Sequence, residues 1–215
     1  MIIGLAVVLA AATPGAVQTM AELHDAVMAG DLARVDVLIK AGMPVDEKNN
    51  AGETALLLAV KHDKTAIAKA LMAAGASINA RAKNKDTPWL LAGASGRTEI
   101  IREMIPFGPD LSIRNRYGGN ALIPACERGH VETIRLLLTT AIDVDHVNNL
   151  GWTCLLEIVI LGDGGPRHVE AARLVLDAGA NPNLADKDGV SPLAHARAKG
   201  QAEIATLIEK AGGKA

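Results

Sequence analysis

Aromatic residues are almost missing from this chain: its 215 residues include two Trp, one Tyr and one Phe. A near-spherical core usually draws much of its buried area from large rings, so their scarcity points to thin layers filled by Ala, Leu, Ile and Val. An excess of either charge is also missing. Lys and Arg number 22 against 24 Asp and Glu, for a net charge of −2. There is no basic run, which argues against nucleic acid as the main partner, because neutralising phosphates needs clustered Lys and Arg. The one long apolar stretch, Ile2 to Ala12, falls short of the roughly 20 residues that span a bilayer. Its length fits the core of a secretory signal, with small residues for cleavage near Ala12 or Ala16, although no Lys or Arg precedes it. Residues 1–17 are therefore expected to be a signal peptide, and the protein to be periplasmic or secreted without stable membrane insertion. The alternative is a cytoplasmic protein with an apolar tail.

The usual signatures of chemistry are missing as well. Six histidines contain no His-x-x-x-His or His-Glu-x-x-His pair, so zinc ligation has no support from spacing. Asp143 to Asn149 is rich in oxygen ligands but lacks the central glycine of a calcium loop and its twelfth-position glutamate. No Gly-x-Ser-x-Gly elbow occurs, and the glycine-rich stretch Leu161 to Arg167 lacks the Gly-Lys-Ser/Thr ending of a phosphate loop. No catalytic, metal-binding or cofactor-binding residue is expected, and the chain does not read as an enzyme.

What the sequence does contain is a recurring phrase. It runs Gly-x-Thr/Ser-Pro-Leu near its start and Leu-Leu-x-x-Gly-Ala near its end. Turn glycines fall at Gly52, Gly118, Gly151 and Gly189; 118 to 151 is one period of 33, 52 to 118 is two, and 151 to 189 is one period plus five. Lys85 takes the intermediate slot. The closing positions agree: Gly42, Gly75, Gly108, Ala141, Gly179 and Gly212. A fixed period of this size means stacked units, none able to bury its apolar face alone.

Each unit reads as helix, turn, helix and an extended link. Thr54, Thr87, Asn120, Thr153 and Ser191 supply the side chains that cap helix starts, and proline follows two of them at a position that tolerates it. In the first unit Thr19 and Glu22 form a capping box. The closing glycines suit left-handed helix stops.

On these residues the sequence resembles the ankyrin repeat family. The sixth unit matches best, with Asp186, Gly189, Ser191, Pro192, Leu193, Ala196 and Gly200. The fourth keeps Gly118, Leu122, Ala125, Gly129, His130, Val131, Glu132, Leu137 and Leu138. The resemblance implies an all-α ankyrin-repeat solenoid of about six helix-turn-helix units with β-hairpin-like loops, over residues 18–215. The repeats are expected at about 18–47, 48–80, 81–113, 114–146, 147–184 and 185–215. It also implies that His24, His130 and His168 make internal hydrogen bonds. The composition and the apolar start suggest a bacterial, exported member of the family.

Several positions depart from the pattern. Pro124 lies inside a first helix, where it is expected to remove or distort an early hydrogen bond. The five extra residues of the fifth unit lie within Leu161 to Arg167 and are expected to enlarge its inter-helix loop. Cys126 and Cys154 lie five residues apart in register and one layer apart, beyond the roughly 7 Å limit for a disulfide. Both are expected to be small buried packers.

The resemblance further implies binding through the loop tips and the concave face of the first helices. The candidate positions are Lys83 and Asn84 on the third tip, Arg116 and Tyr117 on the fourth, Leu150 and Trp152 on the fifth, and Glu127 and Arg128 on a first helix. Arg, Tyr and Trp dominate interface hot spots because they bury much area while keeping a polar handle. The expected function is a non-catalytic scaffold that binds another protein, itself a monomer. The alternatives are an enzyme or accessory subunit using the 161–168 loop with Asp163 and His168, or a structural spacer.

Overall fold

Capping side chains start the helices in a computed structural model that describes residues 20–215. Thr54 Oγ1 accepts the Leu57 N–H at 3.3 Å, Thr87 that of Leu90 at 3.2 Å, Thr153 that of Leu156 at 3.2 Å and Ser191 that of Ala194 at 3.1 Å. Asn120 Oδ1 accepts two, from Leu122 at 3.0 Å and Ile123 at 3.2 Å. Each bond satisfies a donor that the first helical turn leaves without a partner. The expected signal segment and Thr19 lie outside the described residues; Glu22 pairs with Arg34 at 2.6 Å.

Among the described residues twelve α-helices follow in six pairs: α1 (Met20–Ala29) with α2 (Leu32–Lys40), α3 (Ala55–Lys61) with α4 (Thr65–Ala73), and α5 (Pro88–Ala94) with α6 (Thr98–Met104). Then come α7 (Leu122–Glu127) with α8 (Val131–Leu137), α9 (Cys154–Leu161) with α10 (Pro166–Asp177), and α11 (Pro192–Ala198) with α12 (Ala202–Lys210). A 3-10 turn at Ile105–Phe107 extends α6. Among the described residues there is no strand. Odd-numbered helices stack on one another, and so do even-numbered ones. The fold is an all-α solenoid of helix-turn-helix units.

The core repeats with the sequence. The second residue after each cap is Leu56, Trp89, Leu122, Leu155 or Leu193, each at most 2% exposed. Trp89 is therefore a core residue in a leucine slot. Pro124 is the third residue of α7. In the other units the residue at this slot, Leu58, Leu91, Glu157 or His195, donates its N–H to the carbonyl of the capping residue at 2.9–3.1 Å. Pro124 has no N–H to give, and α7 starts two residues after Asn120 instead of one, so the expected loss of an early hydrogen bond is present.

The stacking corrects the reading of the cysteines. Cys126 and Cys154 form a disulfide with Cα atoms 5.5 Å apart. Adjacent first helices are not aligned level by level; the late part of one approaches the opening residue of the next. The preceding pair shows the same approach, since a Cβ built on Gly93 would lie 2.9 Å from the Ala121 Cβ and 2.5 Å from its carbonyl oxygen. Gly93 and Cys126 occupy the sixth position after their caps, and Ala121 and Cys154 the first. The register offset that was expected to separate the sulfurs is what brings them together.

The five-residue insertion is also placed differently. Pro166 opens α10 with its fixed φ, so that helix runs for 12 residues. Only residues 162–165 remain between α9 and α10. The extra length lies mostly in helix rather than loop.

Lys85 adopts the left-handed conformation, with φ 69°, that Gly52, Gly118, Gly151 and Gly189 adopt in the other tips at 75–88°. A side chain there is strained by about 1–2 kcal/mol, partly offset by the entropy that glycine loses on folding. Lys85→Gly should therefore raise stability by about 0.5–1 kcal/mol and the melting temperature by about 1–4 °C. A thermal melt that is unchanged or lower would show that the strain is relieved locally.

Candidate functional site

The tips are organised by one recurring side chain. Asn49, Asn115, Asn148 and Asp186 each turn Oδ1 inward to accept two backbone N–H groups of the same tip, at 2.9–3.1 Å. Such side chains stabilise tight turns by mimicking a backbone acceptor. Two pairs of successive tips are joined by backbone bonds, the second and third by Lys83 N–H to Ala51 O at 3.1 Å and the fourth and fifth by Asn149 N–H to Tyr117 O at 2.9 Å. The fourth and fifth tips are thereby set side by side.

Between them lies a pocket of about 280 Å³. Its walls are Asn115, Arg116 and Tyr117 from the fourth tip and Asn148 and Leu150 from the fifth. Its floor is Pro124 and Glu127 of α7 with Glu157 and Leu161 of α9, and Arg128, just past the end of α7, lies at its side. Tyr117 and Leu150 are 55% and 51% exposed, a large apolar surface for two adjacent tips. The Cys126–Cys154 bridge ties the end of α7 to the start of α9, the helices that carry Glu127 and Glu157.

Five of the eight positions singled out from the sequence line this pocket: Arg116, Tyr117, Glu127, Arg128 and Leu150. Three do not. Trp152 is half-buried and packs against the core. Lys83 and Asn84 belong to the third tip, where Asn84 binds Asp86 through Oδ1 to the backbone N–H at 3.0 Å and through Nδ2 to the carboxylate at 2.7 Å. Asp86 in turn lies 4.0 Å from the Arg116 guanidinium, which sits 4.6 Å above the Tyr117 ring. Arg128 donates to the carbonyl of Ala94 in the preceding unit. Both guanidinium groups of the pocket are thus engaged away from its floor.

Glu157 was not singled out from the sequence. Its side chain is 4% exposed, and Oε1 accepts from Asn148 Nδ2 at 2.8 Å. Oε2 is buried without a hydrogen-bond partner among the described residues. Burial, with the Glu127 charge adding to it, pushes the Glu157 carboxyl up to about 7; the Asn148 bond opposes this only in part. The signal was available in the repeat register. Four positions after the cap stand Leu58, Leu91, Pro124, Glu157 and His195, so an acid replaces an apolar residue. The sixth unit builds the same contact with other groups: His195 Nε2 lies 2.7 Å from Asp186 Oδ2.

The Asp163–His168 pair makes a structural bond. Nδ1 of His168 lies 2.7 Å from Asp163 Oδ1 and Nε2 lies 3.0 Å from the Glu127 carbonyl, so both ring nitrogens are engaged. His168 is 5% exposed. Among the described residues, no three His, Cys, Asp or Glu side chains are grouped so as to hold a metal ion. No helix among them is long and apolar enough to cross a membrane.

The profile of the family described as ankyrin repeats (three copies) matches residues 23–115, 64–148 and 89–186. The chain is 46% identical over 68 residues to the ankyrin repeat protein YahD of Escherichia coli (strain K12), a stretch covering 32% of this chain and 34% of YahD. The chain thus spans about a third of the length of that relative. Among solved structures, an ankyrin repeat domain from Acinetobacter baumannii AYE superposes with a TM-score of 0.87 at 47% identity, covering 89% of this chain and 98% of that one. The ankyrin repeat domain of Bcl-3, a member of the IkappaB protein family, superposes with a TM-score of 0.80 at 29% identity, covering 90% of this chain and 86% of that one.

Proposed function

The chain belongs to the ankyrin repeat family, and from that premise we propose that it is a non-catalytic scaffold binding another protein through the face between its fourth and fifth tips. Ankyrin repeats generally mediate contacts between proteins. One observation carries the choice of face: Tyr117 and Leu150 are more than half exposed, on tips joined by a backbone hydrogen bond, beside a pocket. Adjacent exposed apolar side chains rimmed by polar groups mark contact sites.

The experiment compares tagged wild type with Tyr117→Ala/Leu150→Ala in affinity capture from the native compartment. The double variant should melt like wild type, because exposed substitutions shift stability by about 0.5 kcal/mol or less. It should lose the partner, since hot-spot truncations cost about 2 kcal/mol or more each. Capture that survives the double substitution would remove this face from consideration.

The same reading places the protein in an oxidising compartment, periplasmic or extracellular. The apolar start motivates it, and the bridge between Cys126 and Cys154 supports it, because disulfides persist where thiols are not kept reduced.

A further inference from the structure

We propose that the pocket between the fourth and fifth units receives one long cationic side chain, arginine or lysine, from the bound protein, held between the Glu127 and Glu157 carboxylates. This rests on the scaffold reading and specifies what the partner must carry.

Charge and partnering carry the assignment. Four charged side chains line the pocket: Arg116, Arg128, Glu127 and Glu157. The two cations are already bound, Arg116 near Asp86 and over the Tyr117 ring, Arg128 to the Ala94 carbonyl. The two anions have no cationic partner among the described residues, and Glu157 has only the Asn148 amide. Among the described residues the Glu127 carboxylate makes no hydrogen bond or ion pair, and Glu157 keeps one oxygen buried without a partner. A buried acceptor left unsatisfied is costly, and a charged donor recovers more than a neutral one. The shape agrees. A volume of about 280 Å³ lies just under the range of roughly 300–1,000 Å³ that holds drug-sized ligands, and suits one extended side chain. The aliphatic stem of that side chain would lie along Leu150, Leu161 and Pro124, and its head between the carboxylates, the usual division of an amphipathic cation. The bridge between α7 and α9 holds together the two helices from which the acids extend.

The test needs no knowledge of the partner. N-acetyl-arginine amide is titrated into the full chain while the side-chain carboxyl carbon of Glu157, assigned by its loss in Glu157→Gln, is followed by NMR. N-acetyl-norleucine amide and N-acetyl-glutamate amide are titrated in parallel. The cationic probe should give a saturable shift, bind about tenfold tighter at pH 8 than at pH 6 because it requires the ionised acid, and lose at least tenfold in affinity in Glu157→Gln. An equal response to norleucine amide would make the pocket merely apolar, and a stronger response to glutamate amide would make it an anion site. Either result, or no saturable shift, overturns the inference. A failure here with capture still sensitive to Tyr117→Ala/Leu150→Ala would leave the scaffold standing. Probe binding without a face-dependent partner would do the reverse.

Discussion

Cys126→Ala with Cys154→Ala is expected to lower stability by about 3–4 kcal/mol, the loop-closure entropy of a bridge between cysteines this far apart. The sequence separation is 28 residues. For a chain of this size the melting temperature should fall by about 7–14 °C. Reduction of the wild-type protein should produce most of the same drop without changing any side chain. Units of a stacked array depend mainly on their neighbours, so the loss should be concentrated in α7 to α10, where hydrogen exchange would quicken first. A wild-type melt that is indifferent to reductant would show that the bridge does not contribute. The same pair reports on compartment. Acid-quenched protein alkylated while unfolded should show both cysteines blocked until reductant is added. Two freely labelled thiols in protein taken straight from cells would refute export to an oxidising compartment.

Glu157→Gln is expected to stabilise the protein by about 2–3 kcal/mol at pH 8 and by little at pH 5. The Glu157 carboxyl ordinarily titrates near 4.5 and is raised to about 7 in the fold. Between those values the native state retains a proton that the unfolded chain has released. Stability therefore falls as pH rises through that window and stays lower above it. Glutamine keeps the acceptor for Asn148 and removes the charge. Burial of His24 and His130 acts in the opposite direction. Both are held below the ordinary value of 6.5, so the unfolded chain takes up protons first as pH falls, and stability declines below about 6.5. The wild type combines the two slopes, and the variant should show the histidine slope alone. Urea titrations at pH 5 and pH 8 measure this. No gain at pH 8, or an equal gain at pH 5, would dismiss the carboxyl as the cause. A pocket that is less stable when ionised and empty is what a site awaiting a cation should look like.

The repeat, the capping residues and the core were legible because each rests on local chemistry. Thr54, Thr87 and Ser191 cap for the same reason wherever they occur, and Trp89 is buried because its slot is buried in every unit. The exposed pair Tyr117 and Leu150 was legible because the tips project and no core position claims them. The disulfide was not, because register along a helix does not give the offset between neighbouring helices. That offset comes from how side chains such as Gly93 and Ala121 let two backbones approach. Trp152 lay in a tip by its position, yet large rings find core contacts that a slot assignment does not foresee. Glu157 could have been found by comparing Leu58, Leu91 and Pro124 with the acid in the same slot. Its orphaned oxygen could not, since that depends on which groups from neighbouring units fail to reach it. The fate of the insertion turned on Pro166, which starts a helix as readily as it bounds a loop.

An elongated stack behaves like a spring, bending by small tilts that accumulate at each junction between units. The covalent tie between the fourth and fifth units stiffens one of these junctions and leaves the others compliant. Thermal flexing is then left to the untied junctions, and the groove between tips four and five becomes the part of the surface whose width varies least. A binding partner meets a gauge already set, so less motional freedom is frozen at this junction on contact than at any untied one.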